Sequence, residues 1–345
     1  MKTIEQFQRA DFSIPLPINW QLTDLAEFKG KQELFTHQAP QRLKALREHA
    51  LIESAVSSNR IEGVEMEPSR IAAVVFGGCA YRDRNEEEIA GYRTALNELH
   101  NRSFPLAENT MLQLHRWSRG EIWDAGQYKD KPVDIFETFP DGRQIVRFRS
   151  VSPEETPNMT RALFEAVDDE LKNHRIPPLL LVAALNLDFL CIHPFRDGNG
   201  RVSRLLLLQS FYLLGFEVGR YISLERIVEQ NKERYYEALR ESSVGWHDGK
   251  HDPWPYIGYI LFVLKQAYKE FELRVGELQA PHGEKTSRIE EAIERFSGSF
   301  AVADLHQACP GVSIDLVRAT LKRLRKENRV QCLGKGRGAK WIVIN

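Results

Sequence analysis

The sequence predicts a mainly α-helical protein with one β-hairpin in its middle and a C-terminal unit of winged helix-turn-helix pattern. Three observations predict it. Apolar residues recur at helical spacing over most of residues 1–277. β-prone stretches within Val133–Phe148 flank the turn signal Pro140-Asp141-Gly142. A polar stretch with Pro and Gly at 278–287 then precedes about 60 residues that read helix, helix, turn, helix, hairpin.

Residues 1–38 carry Pro15, Pro17 and scattered aromatics and are expected as an extended arm packed on the body. Leu43, Leu46, Ala50, Leu51 and Ala55 share one helical face, so a helix should run from Pro40 to about Asn59 and end near Gly63, a C-terminal cap. Another follows Pro68. Asn85–Arg102 opens with an Asn cap and three glutamates suited to the positive end of a helix dipole. Further helices are expected from about Asn109 through Trp117, over Thr156–Asn173, across the apolar runs Pro177–Leu190 and Leu205–Phe216, and over Leu224–Glu241 and Trp254–Leu278. The hairpin has no sheet to join, so it is either a structural flap or a docking edge. In the last unit, Ser287–Phe296, Val302–Cys309 and Ser313–Arg329 are helices, the third capped by Ser313, and the tail alternates around a glycine turn as a two-stranded wing. The expected organisation is a helical N-terminal region (1–105), a helical core (106–277), a linker (278–287) and a winged helix (288–345).

Composition bounds the function. The 345 residues are 28% charged and 42% hydrophobic with a net charge of −1, the balance of an ordinary globular chain, so any nucleic-acid signal must be local. Cys79, Cys191, Cys309 and Cys332 form no CxxC pair, which suggests neither a disulfide framework nor a zinc site and implies reduced thiols in the cytoplasm. The N-terminus lacks an apolar signal region, and Asn186 and Asp188 break the longest apolar run; neither a signal peptide nor a membrane span is expected.

The chemistry concentrates in HPFRDGNGRVSR, His193 to Arg204, between two apolar helices. Gly198 and Gly200 free a loop entering a helix N-terminus, so that backbone N–H groups converge on one point where the dipole also favours an anion. Arg201 and Arg204 share a face of a helix that should be buried. Asp197 can serve Arg201 at i−4, but Arg204 has no acid three or four residues away, so its partner comes from elsewhere in the chain or from a ligand. Two arginines, a glycine nest and an acid able to hold Mg²⁺ suit nucleoside-triphosphate chemistry. His193, with an ordinary pKa near 6.5, could take a proton from a hydroxyl. The alternatives are a structural histidine and a plain turn. An EF-hand is excluded because its twelfth position would be Leu208, and no GxxxxGK stretch makes a Walker A loop.

Together these residues resemble the signature of Fic-domain proteins, with no departure at any signature position. The resemblance implies a helical fold that transfers AMP from ATP to a Tyr, Thr or Ser hydroxyl of a target protein, or of itself, releasing pyrophosphate. It implies His193 as base, Phe195 as anchor of the loop, and Asp197 as ligand of Mg²⁺. The amides and side chain of Gly198, Asn199 and Gly200 would cradle phosphates beside Arg196, with Arg201 and Arg204 on the β and γ groups. The hairpin 133–148 would hold the target by strand addition. Tyr235 and Tyr236 would border the adenine, the alternative being core packing.

SNRIEG, Ser58 to Gly63, resembles the family's inhibitory motif, which implies that Glu62 pairs with Arg204 in place of a γ-phosphate. The alternative is a helix end with a solvated glutamate. In the last unit, Arg318, Lys322, Arg323, Arg325, Lys326, Arg329, Lys335, Arg337 and Lys340 stand against Asp315 and Glu327, with Ile314, Val317, Leu321 and Leu324 as the inward stripe. That footprint over 313–340 fits duplex DNA, or else a solvated face on a protein-interaction module. Competing functions are a DNA-binding regulator with a nucleotide-sensing core, and a related enzyme that uses another donor or removes AMP. A homodimer is compatible with each.

Overall fold

The computed structural model describes residues 1–36, 40–77, 80–138, 142–279, 284–294, 296, 298–309, 311–334 and 339–344. They form two compact units, Met1–Phe271 and Glu272–Asn345. The division falls upstream of the stretch 278–287 expected as linker, of which 280–283 lie outside the described residues.

The first unit begins with two helices, α1 (Lys2–Phe7) and α2 (Leu16–Thr36), where an extended arm was expected. Pro17 occupies the first turn of α2, where its missing N–H is one that no helix satisfies, so the prolines start this helix. α3 (Pro40–Ile61) ends at Gly63, whose φ of 80° closes the turn. α4 (Ile71–Phe76) leads to α5 (Arg84–Asn101). The cap of α5 is Asp83, which accepts from the Glu86 amide at 2.9 Å, while Asn85 lies inside the helix and donates to the Glu65 carbonyl. α6 (Glu108–Arg119) precedes the hairpin of β1 (Ile135–Thr138) and β2 (Gln144–Phe148), antiparallel with Phe136 opposite Val146. Among the described residues the pair joins no other strand; its turn, 139–141, lies outside them.

α7 (Thr156–Asn173), α8 (Pro178–Ile192) and α9 (Asn199–Leu213) build the centre, with α8 and α9 packed together and α9 against α5 and α6. The two polar residues inside the apolar run of α8 are both spent on neighbours. Asn186 donates to the Ser203 carbonyl at 2.7 Å and accepts from Ser203 Oγ and the Tyr256 hydroxyl, which locks α8 to α9. Asp188 accepts from Thr3 of α1 and from Trp246 Nε1 at 2.6 Å. The single helix expected over Leu224–Glu241 is two, α10 (Leu224–Gln230) and α11 (Lys232–Ser243). Asn231 breaks it, because its side chain donates back to the Ile227 carbonyl and offers the backbone an alternative to the helix. α12 (Trp254–Gln279) follows.

The second unit runs α13 (Glu284–Glu294), β3 (Phe300–Ala301), α14 (Val302–Ala308), α15 (Ile314–Lys326), β4 (Val330–Leu333) and β5 (Lys340–Val343). Its sheet has the order β3-β5-β4 and includes a strand, β3, that alternation over two residues cannot reveal. Ser313 caps α15 by accepting from the Leu316 amide. Val317, Leu321 and Leu324 pack on Phe300, Leu305 and Trp341. Ile314, expected on that inward stripe, is instead exposed, because the first residue of α15 lies beyond the edge of the packed core.

Candidate active site

The site forms where α8 ends and α9 begins. His193 terminates α8 in the left-handed conformation, φ 55°, unusual for a residue with a Cβ. Its Nδ1 lies 3.3 Å from the Leu190 carbonyl. A carbonyl only accepts, so Nδ1 carries the proton and Nε2 keeps its lone pair. Burial, with the nearby Lys129 ammonium, pushes the imidazole pKa down to about 4. At neutral pH it is therefore an uncharged base.

The loop after it is held from within. Phe195 is fully buried and stacks on His115 of α6 at 3.7 Å between ring centroids. His115 Nδ1 accepts from the Gly126 amide, so Nε2 donates to the Asp197 carbonyl at 3.0 Å. The Asn199 side chain folds back on Phe195, accepting from its amide at 2.9 Å and donating to its carbonyl at 2.8 Å. That side chain is spent on loop shape and does not face a ligand. Arg196 also points elsewhere: it pairs with Asp130 at 3.2 Å and lies over the Trp123 ring. Gly198 takes φ 81°, and α9 starts directly after it. A Cβ at Gly200 would overlap the Glu62 carboxylate, so this glycine is what lets an anion approach the start of α9.

Both arginines are buried and ion-paired. Arg201 meets Glu88 of α5 at 2.7 Å and Asp197 at 3.3 Å. Arg204 Nη2 meets Glu62 at 2.8 Å and the Ser58 carbonyl at 2.9 Å, while Nε donates to Ser58 Oγ at 2.8 Å. Against the cost of burial, Glu62 holds the Arg204 pKa above its ordinary value. Arg204 Nη1 is buried and has no hydrogen-bond partner among the described residues. Gly63 follows as the turn that aims Glu62 inward.

Asp197 lies at the mouth of the loop, half exposed, held by Arg119 at 2.8 Å, Arg84 at 3.0 Å and the Gly198 amide. Burial opposes ionisation there, but Arg201, Arg119 and Arg84 keep its pKa below the ordinary value. Arg119 also binds Glu88 at 2.7 Å and Asp124 at 3.0 Å. A cavity of about 260 Å³ adjoins, lined among others by Tyr235, Tyr236, Leu239 and Phe148, and reaching Glu62, Gly200 and His193. Tyr235 is buried, and the Tyr236 hydroxyl donates to the Ile61 carbonyl at 3.2 Å. The structure thus brings together His193, Asp197, Gly198, Gly200, Arg201, Arg204, Ser58, Glu62 and both tyrosines.

Sequence reasoning missed His115, Arg119, Glu88 and Lys129. A signal existed for the first two, since they stand at i and i+4 beside Met111, Leu114 and Ser118 on the buried face of α6. For Lys129 none exists in its own segment.

A neutral histidine beside a glycine-opened helix N-terminus and two buried arginines defines a helical protein built around an anion site. Residues 105–210 match the model of the Fic/DOC family. It is 25% identical over 231 residues to protein adenylyltransferase Fic of Nematostella vectensis, covering 63% of this chain and 47% of that one. It is 24% identical over 194 residues to protein adenylyltransferase fic-1 of Caenorhabditis elegans, covering 55% and 34%. The chain thus spans less than half the length of these curated relatives. A solved Fic family protein from Desulfovibrio desulfuricans G20 shares the fold with a TM-score of 0.62 at 20% identity, over 97% of this chain and 98% of that one. No described helix is long and apolar enough to cross a membrane.

Buried histidines, two in the site and two elsewhere, also contribute to the acid stability. His193, His115 and His251 are held near 4 and His100 near 3 by burial. Each folded pKa lies below the unfolded value of about 6.5, so the unfolded chain binds more protons between the two. Stability is full above pH 6.5 and falls as pH drops toward 4. The denaturation midpoint at pH 5 is expected well below that at pH 7; equal midpoints would show that these imidazoles are not buried as neutral groups.

Proposed function

We propose that this protein transfers AMP from ATP to a hydroxyl of a protein target, on Tyr, Thr or Ser, and that Glu62 restrains it. The observation that carries the reading is the His193 tautomer, a neutral imidazole with Nε2 free beside the anion site. The target oxygen attacks the α-phosphorus, its proton passes to Nε2, and the bond to the β-phosphate oxygen breaks to release pyrophosphate. Arg201 and the amide at Gly200 hold the phosphates, the Gly198 amide being spent on Asp197, and the cavity beside Tyr235 and Tyr236 takes the base. Glu62 lies where a terminal phosphate would meet Arg204, so it must leave for a productive pose. The exposed apolar residues Phe136, Ile145 and Val146 of the hairpin support docking of an extended target segment.

Asp197 fits Mg²⁺: it is ionised, half exposed, and the most exposed of its partners, Arg84, can give way. Mg²⁺ is commonly held by one or two carboxylates together with substrate phosphates. Bound there, Mg²⁺ would neutralise charge on the phosphate oxygens.

Intact mass spectrometry of Glu62→Gly protein with ATP and Mg²⁺ tests the reading. A gain of one AMP, absent or much smaller in the parent protein, is expected. No gain from ATP, with a gain from another nucleotide in the same panel, would replace the donor.

One observation supports a second role, duplex DNA binding by the last unit. Lys322, Arg325 and Lys326 lie on α15 away from the packed stripe of Val317, Leu321 and Leu324, as does Arg318, which pairs with Asp315 at 3.4 Å. Arg323 and Arg329 leave the footprint because Glu290 of α13 binds both. Lys335 and Arg337 lie outside the described residues. Lys322→Gln with Lys326→Gln should reduce the salt dependence of duplex binding, the log–log slope shrinking by about 0.9 for each phosphate that the variant no longer neutralises. Absence of binding at low salt would leave a protein-interaction module.

A further inference from the structure

We propose that Lys129 is a positioning residue for the transfer reaction, fixing the His193 backbone and the base of the hairpin as one unit. The inference rests on the reading of His193 as base. Lys129 is 2% exposed, and its ammonium spends three hydrogen bonds within the structure. Nζ donates to the Ile192 carbonyl at 3.0 Å, the His193 carbonyl at 2.9 Å and Ser150 Oγ at 2.7 Å. Its own backbone amide donates to the Pro194 carbonyl at 2.9 Å. One residue therefore grips three successive carbonyls, at 192, 193 and 194.

The Ile192 carbonyl is the last of α8 and the His193 carbonyl is that of its C-cap, where helical partners run out and the dipole favours a cation, while the Pro194 carbonyl lies just beyond. Left-handed backbone is unfavourable at a residue with a Cβ, and these bonds hold His193 there. Ser150 completes the arrangement. Its hydroxyl donates to the Val133 carbonyl at 2.7 Å, so the two legs of the hairpin, before β1 and after β2, close on the same ammonium. The turn that carries the base and the hairpin proposed to seat the target are thus joined through one nitrogen.

A neutral filler would serve packing alone. The ammonium has no ion pair within 4.0 Å among the described residues, and burial lowers its pKa to about 8 against the opposing pull of Asp134, so it stays mostly charged at neutral pH. Its charge reaches His193, where it favours the neutral imidazole, against the opposing influence of Glu62 and Asp197. Position and protonation of the base depend on the same side chain.

The test uses full-length protein in the Glu62→Gly background, comparing Lys129→Met, Lys129→Arg and Ser150→Ala. Lys129→Met should lower kcat at least tenfold with KM for ATP changed less than twofold, and Lys129→Arg should recover part of the loss. The His193 imidazole, assigned by NMR against His193→Ala, should titrate higher in Lys129→Met and unchanged in Ser150→Ala. Ser150→Ala, which keeps the charge and the fold, should still lower kcat by loosening the hairpin base. An unmoved His193 titration in folded Lys129→Met overturns the proposal whether or not AMP is transferred. Should Lys129→Met not fold, an unchanged kcat in Ser150→Ala overturns it.

Discussion

In the Glu62→Gly background, His193→Ala is expected to slow AMP transfer about 10²–10⁴-fold, the usual contribution of a positioned general base. Affinity for ATP should stay within about twofold, because the arginines and the glycine loop proposed to meet phosphates do not involve the imidazole. The effect should be large because, among the described residues, no other side chain of the site is placed to replace the base. The carboxylate of Glu62 is removed in that background, and the Asp197 carboxylate is committed to Arg119, Arg84 and Arg201. The low pKa sharpens the expectation. With the imidazole neutral above about pH 4, the acid limb of kcat should lie near 4 and not near 6.5. Transfer that survives His193→Ala, measured by intact mass and by single-turnover rate, would remove the base from the mechanism.

How much of the fold and site is legible in the sequence depends on sequence distance. The loop and its two arginines lie within twelve residues, so a turn, a helix start and an unpaired cation can be read together. Arg204 lacks an acid one turn away, which requires a partner from farther along the chain, and in space that partner is Glu62, at 2.8 Å. Glu86, Glu87 and Glu88 look alike in sequence as dipole complements, and only packing separates them. Glu86 binds Arg70, while Glu88 turns inward to Arg119 and Arg201. Arg196 and Asn199 sit inside the motif, yet local geometry turns one to Asp130 and the other to Phe195. Lys129 is illegible because its partners are backbone carbonyls contributed by α8 and its own segment has no amphipathic pattern. The N-terminal segment departs from expectation for a different reason: prolines at a helix start and prolines in extended chain look the same until the helix is present.

The largest stability change is expected at Glu88. Its carboxylate, 3% exposed as a residue, lies between Arg119, Arg201 and Arg84, and with Asp124 and Asp197 it makes a cluster of three acids and three arginines. Glu88→Gln keeps the shape and leaves one buried positive charge uncompensated, a loss of about 3–5 kcal/mol for breaking such a pair from one side. Arg119 retains Asp124 and Asp197 at close range, so the burden falls on Arg201, left with Asp197 at 3.3 Å and Asn59 at 3.4 Å. The melting temperature should drop by about 10 °C for a unit of this size. Two further results follow if Arg201 is the stranded charge. ATP should raise the melting temperature of Glu88→Gln more than that of the parent, since its phosphates supply the missing anion. Arg201→Met should destabilise the parent but restore part of the loss in Glu88→Gln, giving a coupling energy of about 1–3 kcal/mol in a double-mutant cycle. A melting temperature within about 2 °C of the parent would mean that water or Asp197 already compensates Arg201, and the anion site would then owe its charge to Arg204 alone.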